Sequence, residues 1–204
     1  MGFYQDQIVP LLINLTMRWP DLAAYRSRVV PSADGRVLEI GIGSRLNVPF
    51  YSHNLKDLIG LDPSPKLLSM VRRNLRPDTP SPELIEGSAE AIPLENHSID
   101  TVVTTWTLCS IPDAALAVHE MRRVLRPTGR LLFIEHGRAD EPRVRWWQDC
   151  LTPAWKRIGG GCHLNRAIQT LIEDAGFRFD RFETGYMRGP KPLTFIYEGT
   201  ARPR

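Results

Sequence analysis

The stretch that most constrains this chain runs from Val37 to Asp62. Val37-Leu38-Glu39-Ile40 leads into Gly41-Ile42-Gly43-Ser44, and a second apolar run, Leu58-Ile59-Gly60-Leu61, ends on Asp62. Short apolar runs bounded by glycine turns read as buried strands. In a strand-turn-helix-strand unit, this spacing lets bare backbone at the turn approach a nucleoside-bearing ligand. The acid at the tip of the next strand then accepts hydrogen bonds from both ribose hydroxyls. The pattern places the chemistry at the carboxyl ends of the first two strands.

Two ligand classes use a glycine turn followed by an acid. A dinucleotide site needs glycine at the first, third and sixth positions of the turn, which here are Gly41, Gly43 and Leu46. Leucine at the sixth position counts against a nicotinamide oxidoreductase, because it obstructs close approach of the pyrophosphate. S-adenosylmethionine carries no phosphate, and its site has no need of that third glycine. It needs space beside the turn for the methionine half and an acid for the ribose. An adjacent carboxylate also disfavours a 2′-phosphate by charge repulsion.

The bulk composition narrows the class further. A chain of 204 residues is long enough for one α/β domain with a full core. Its net charge of +3 shows no electrostatic commitment to nucleic acid. Cys109, Cys150 and Cys162 are odd in number and unpaired in spacing, which fits a reducing compartment and gives no zinc pattern. No run approaches the ~20 apolar residues of a membrane helix, and the first thirty residues lack a signal-peptide pattern. The expectation is a cytoplasmic protein with no integral membrane segment and no metal site.

Along the chain, apolar periodicity predicts one or two helices over 4–29, with Ile8, Leu11, Leu12 and Leu15 on one face. Strands are predicted at Val37–Ile40, Leu58–Leu61, Glu83–Glu86, Ile99–Thr105 and Arg130–Glu135. Ser64 caps a helix to about Leu75, and Asp113 starts another with Ala117, Met121, Val124 and Leu125 on its inner face. Pro127-Thr128-Gly129 reads as a turn. Trp146 to Ile158 reads as helix, and Asn165 caps a further helix ending at Gly176. Phe177–Glu183 and Leu193–Glu198 alternate as an antiparallel pair. The sum is a doubly wound α/β domain with a mostly parallel seven-stranded sheet. A single domain is expected over 1–204: a helical lid at 1–30, a cofactor-binding core at 35–136, a helical insert at 141–162, and a closing helix and strand pair at 163–200.

Five segments, in order, carry a resemblance: Glu39-Ile40-Gly41-Ile42-Gly43, Asp62-Pro63-Ser64, Gly87-Ser88-Ala89-Glu90, Asp100-Thr101-Val102-Val103-Thr104 and Leu125-Arg126-Pro127-Thr128-Gly129. Through them the chain resembles the class I S-adenosylmethionine-dependent methyltransferases. Leu108-Cys109-Ser110, Glu135-His136, Trp147-Gln148, Pro153-Ala154-Trp155 and Gly161-Cys162 with Leu164 and Arg166 resemble the subgroup of thiol S-methyltransferases and phosphatidylethanolamine methyltransferase-like proteins. Microsomal members of that subgroup carry an N-terminal membrane anchor, which is not read in this sequence.

The resemblance implies that Glu39, Gly41 and Gly43 hold the aminocarboxypropyl end of S-adenosylmethionine. Asp62 takes the ribose hydroxyls, Pro63 packs by the adenine, Ser88 and Ala89 line its edge, and Thr104 lies under the methionine. The product is S-adenosylhomocysteine. Arg45 stands where the family has a third glycine, at a cost of about 1–2 kcal/mol if that backbone is left-handed.

Methyl transfer from a sulfonium is an in-line displacement in which the protein aligns a nucleophile and excludes water. A thiol acceptor, with a pKa near 8.5, needs little base help, whereas an alcohol needs a positioned base. His136, past the fifth strand, is the candidate base or acceptor-positioning residue. Tyr4, with Phe3, is a candidate lid residue, and one of Trp146, Trp147 and Trp155 is a candidate pocket wall. The reading is methylation of a small molecule, with a thiol favoured. An amine, hydroxyl or lipid headgroup is the alternative acceptor, and a non-catalytic S-adenosylmethionine-binding module is the alternative of a different class.

Overall fold

A computed structural model of the chain describes residues 8–52, 55–75 and 79–204. Two helices, α1 (Val9–Thr16) and α2 (Pro20–Val29), precede a seven-stranded sheet. The strands are β1 (Gly35–Ile40), β2 (Leu55–Asp62), β3 (Glu83–Glu86), β4 (Ile99–Thr105), β5 (Leu125–His136), β6 (Phe177–Tyr186) and β7 (Phe195–Pro203). The helices between and after them are α3 (Pro65–Arg73), α4 (Ala114–Val124), α5 (Pro142–Ile158), α6 (Ile168–Asp174) and the short turn α7 (Lys191–Thr194).

The sheet order is β3-β2-β1-β4-β5-β7-β6. The first five strands in space are parallel, and β7 pairs antiparallel with both β5 and β6. From β1 the chain winds outward through β2 to β3, then returns to lay β4 on the other side of β1. That reversal opens a crevice at the carboxyl ends of β1 and β4, where ligands of such sheets bind.

The strands alternate between two cores, as a sheet covered on both faces requires. Leu38, Ile40, Val102, Leu131 and Phe133 pack with α4 and α6 on one face. Val37, Val103, Leu132 and Ile134 pack with Val29 and Val30 on the other. Fully burying one such side chain contributes about 1.5–3 kcal/mol, against at most about 1 kcal/mol for an exposed ion pair. Packing therefore fixes where the strand tips stand.

Local signals explain most helix ends. The Ser64 hydroxyl accepts from the Leu67 amide at 3.3 Å, with Pro65 in the first turn of α3. Asp113 caps α4 through the Leu116 amide at 3.0 Å. Gly176 is left-handed, with φ of 84°, after α6.

Three expectations are corrected. The Pro127–Gly129 segment is not a separate turn, because β5 runs unbroken from Leu125; a shift in register against β4 absorbs the extra residues. Leu125 accordingly opens the strand instead of closing the helix face. Asn165 does not cap α6, since its amide donates to Asp149 and Ala167 is the capping position without a side-chain bond. The stripe of Ile8, Leu11, Leu12 and Leu15 read from the sequence is exposed, and α1 buries Val9 and Pro10. Helical periodicity locates an apolar stripe but does not say whether a neighbour covers it.

Gly60, in the middle of β2, shows how the sheet receives the turn after β1. A Cβ there would stand 2.3 Å from Ile42 Cδ1 and 3.0 Å from its Cβ. Gly60→Ala should cost about 1–3 kcal/mol by overpacking, read as a lower urea midpoint with an unchanged slope.

Candidate active site

The turn after β1 is built from left-handed residues. Gly41, Gly43 and Arg45 have φ of 69°, 54° and 66°. A Cβ at Gly41 would come within 2.4 Å of the Thr107 hydroxyl oxygen, so only glycine lets the loop after β4 approach. At Gly43 the nearest atom would be the Gly41 carbonyl oxygen at 3.8 Å, which leaves open space beside the turn. Arg45 is thus a non-glycine residue in a left-handed conformation. Its guanidinium donates to the Asn74 carbonyl and the Thr79 hydroxyl, and such charge-assisted bonds offset the backbone strain.

Asp62 ends β2 with only 4% of its surface exposed. Its Oδ2 accepts from the Gly43 amide at 2.9 Å and its Oδ1 from the Ser64 amide at 2.8 Å. Burial raises its pKa, and the Ser64 and Gly43 amides work against that shift. Each oxygen keeps a further acceptor position, which fits two ribose hydroxyls. Pro63 beside it is exposed.

Glu39, one strand over, is enclosed. Its oxygens accept from Asn47 Nδ2 at 2.9 Å and from the Tyr51 hydroxyl at 2.8 Å. The same Asn47 amide donates to Thr105, and its Oδ1 accepts from Arg26 of α2 at 3.0 Å. Burial pushes the Glu39 carboxyl up to about 7, and the same cause brings the Arg26 guanidinium down to about 10. Glu39 thus fixes the loop after β1 through Asn47 and Tyr51. Neither partner carried a sequence signal, since an asparagine and a tyrosine in a loop read as ordinary surface.

Glu135, at the end of β5, organises the facing loop. Its Oε1 accepts from the Thr104 hydroxyl at 2.7 Å and the Thr107 amide at 3.1 Å. Burial raises its carboxyl to about 7, and Oε2 is buried without a partner among the described residues. Thr104, expected under the methionine, is fully buried with its hydroxyl committed to Glu135.

His136 is 5% exposed. Its Nδ1 lies 3.7 Å from Cys162 Sγ, and its Nε2 is buried with no partner among the described residues. Gln148 of α5 steadies the next residues, donating to the Gly137 carbonyl at 3.0 Å and accepting from the Ala139 amide at 2.8 Å. Arg166 donates to the Leu108 and Ile111 carbonyls and so latches the segment after α5 onto the loop after β4.

Ser88 exchanges hydrogen bonds with Glu90, and Ala89 is buried in the core. Of the three tryptophans, Trp146 and Trp147 are exposed, at 57% and 46%. Trp155 is half-buried. Tyr4 and Phe3 lie outside the described residues.

Residues 38–133 match the family model described as a methyltransferase domain. Human thiol S-methyltransferase TMT1B is 33% identical over 175 residues, 82% of this chain and 69% of that protein. The chain belongs to the class I S-adenosylmethionine-dependent methyltransferases. A phosphatidylethanolamine N-methyltransferase from Cereibacter sphaeroides is 32% identical, with 71% of each chain covered. The methyltransferase spans 59% to 69% of the length of the thiol S-methyltransferases it matches. Its fold superposes on an S-adenosylmethionine-dependent methyltransferase from Thermotoga maritima with a TM-score of 0.70 at 20% identity, over 98% of this chain and all of that one. The methyltransferase uses S-adenosylmethionine and acts on a small-molecule acceptor. Among the described residues, no helix is long and apolar enough to cross a membrane.

Asp62→Ala should weaken S-adenosylhomocysteine binding by about 1.5–3 kcal/mol in calorimetry, because it removes a charged acceptor; unchanged affinity would move the ribose contact elsewhere. The raised Glu135 carboxyl sets a pH dependence of stability. A carboxyl whose folded pKa lies above its unfolded one favours folding while protonated, and loses that contribution as pH rises towards about 7. Stability should therefore fall between about pH 4.5 and 7, by on the order of 2–3 kcal/mol from this group. Glu135→Gln should flatten that part of the denaturation profile, and an unaltered slope would exclude Glu135 as its source.

Proposed function

We propose that the methyltransferase methylates the sulfur of a small thiol. The observation that carries this reading is the similarity to human thiol S-methyltransferase TMT1B across 82% of the chain. The Cys162 sulfur, 3.7 Å from His136 Nδ1, is a soft neighbour for such an acceptor.

S-adenosylmethionine supplies a methyl group already activated on a positively charged sulfur. Asp62 accepts the ribose hydroxyls, while Pro63, Ser88 and Ala89 border the adenine. Gly41 and Gly43 leave room for the aminocarboxypropyl tail, and Glu39 braces the wall beside it through Asn47 and Tyr51. Thr104 acts one step back, holding Glu135, which draws the loop after β4 over the crevice. His136 Nε2 takes the acceptor proton or orients the thiol for in-line attack. The working unit is one domain: the N-terminal helices as a cap at 1–30, the core at 35–136, the helical insert at 141–162 and the closing segment at 163–200. The free thiols of Cys109, Cys150 and Cys162 support a reducing, cytoplasmic setting.

A second acceptor class is favoured by the phosphatidylethanolamine N-methyltransferase likeness, namely an amine headgroup. Incubation with methyl-labelled cofactor and a panel of alkyl thiols, amines and phenols separates these readings. Label should appear on thiols. Transfer to amines alone would replace the thiol reading, and transfer to none despite tight cofactor binding would favour a non-catalytic binder. His136→Gln should lower kcat for a thiol about 10- to 100-fold at pH 7, and by less at pH 9, where the acceptor ionises unaided. A deficit independent of pH would make the histidine structural.

A further inference from the structure

Arg26, in the last turn of α2, is a buried cation without an ion pair. Only 3% of its surface is exposed, and no carboxylate among the described residues forms a salt bridge with its guanidinium. Its Nε donates to Asn47 Oδ1 at 3.0 Å. Neither terminal nitrogen donates to another described residue, and neither is sealed from solvent. Both therefore keep all their N–H donors unused. Burying a charge is costly unless it is paired and hydrogen-bonded, so this guanidinium calls for an anion.

Its neighbours fix where it stands. Asn47 Nδ2 donates to Glu39 at the tip of β1 and to Thr105 at the tip of β4, each at 2.9 Å, so the amide cannot turn and its oxygen stays on Arg26. The guanidinium lies 5.0 Å over the ring of Trp106, the residue that follows β4, and Tyr25 meets the same ring edge-on. Trp106 is left-handed, a conformation that persists only where the surroundings enforce it. The cation is thus held at the carboxyl ends of β1 and β4, where the reversal of strand order opens the crevice. Glu39 does not neutralise it by contact, because its oxygens are taken by Asn47 and Tyr51.

We propose that Arg26 binds the carboxylate of the aminocarboxypropyl tail of S-adenosylmethionine through its terminal N–H donors. A guanidinium presents those donors in one rigid plane, which suits a planar carboxylate. Asn47 holds its Nε and Trp106 its face, so the fork is oriented before the cofactor arrives and little side-chain freedom is lost on binding. Arg26 then selects for the amino-acid half of the cofactor: a ligand with the same nucleoside and no carboxylate gains nothing from it. Since Arg26 belongs to α2, recognition of the tail also brings the N-terminal helices into the site. The inference rests on the tail lying beside the Gly41–Gly43 turn, with the ribose at Asp62, as proposed above.

Calorimetry on the full chain tests this with two ligands, S-adenosylhomocysteine and 5′-methylthioadenosine, the second of which keeps the nucleoside and the sulfur but lacks the amino-acid carboxylate. Arg26→Met should weaken S-adenosylhomocysteine about 10- to 100-fold and 5′-methylthioadenosine by less than about twofold. Arg26→Lys, which keeps the charge and loses the fork, should recover part of that loss for S-adenosylhomocysteine alone. Asp62→Ala should weaken both ligands, so the ribose placement is read separately from the tail. An equal loss of both ligands in Arg26→Met would make the arginine a structural prop and overturn the proposal, as would an unchanged affinity for S-adenosylhomocysteine. If Arg26→Met does not fold, the carboxamide of S-adenosylhomocysteine decides. Binding to the unaltered chain about tenfold or more weaker than the acid, with a smaller difference in Arg26→Lys, would uphold the inference, and equal binding of amide and acid would overturn it. No methyl acceptor takes part, so these outcomes are separate from success or failure of thiol methylation.

Discussion

The Asp62 carboxylate ties together the two loops that leave β1 and β2. One oxygen holds the Gly43 amide of the turn after β1, and the other holds the Ser64 amide at the start of α3. A buried carboxylate is costly unless its lone pairs are satisfied. The same group therefore locks two loops in place and keeps a further acceptor position on each oxygen. Loops held in this way lower the ordering cost of association for a ligand bound between them.

The device recurs across the sheet. Glu39 at β1 gathers Asn47 and Tyr51, and Glu135 at β5 gathers Thr104 and the loop that carries Thr107. Three acids at the carboxyl ends of three strands thus each organise the loop beyond their strand. Burial raises all three carboxyls, so the fold gives up stability near neutral pH to keep these loops in position. Arg26 of α2 reaches Asn47 and stacks 5.0 Å over Trp106, which joins the N-terminal helices to the site. Trp106 itself is left-handed, with φ of 50°, a strained conformation at the mouth of β4.

Much of this was legible in the residues. The strand positions, the Ser64 and Asp113 caps and the Gly41–Asp62 spacing follow from local rules of periodicity, capping and backbone freedom. What was misread lay where distant packing overrides those rules. Leu125 continues a helical pattern, yet the sheet claims it; Asn165 has the chemistry of a cap, yet Asp149 claims its amide. The apolar stripe of α1 and the Trp146–Trp147 pair were visible, but their exposure was not, because hydrophobicity does not reveal which surfaces find a neighbour.

The sequence by itself determined the α/β class, the acid at the tip of β2 and the glycine turn that opens beside it, since each is encoded within a few neighbouring residues. Only the tertiary structure decided that Arg26 would stand behind Glu39 through Asn47, that Arg166 would latch the loop after β4, and that Cys162 would meet His136. Those residues come from separate segments and have no periodicity in common. Their meeting depends on strand order and on how the helices pack over it, and neither quantity is written in any local stretch of the chain.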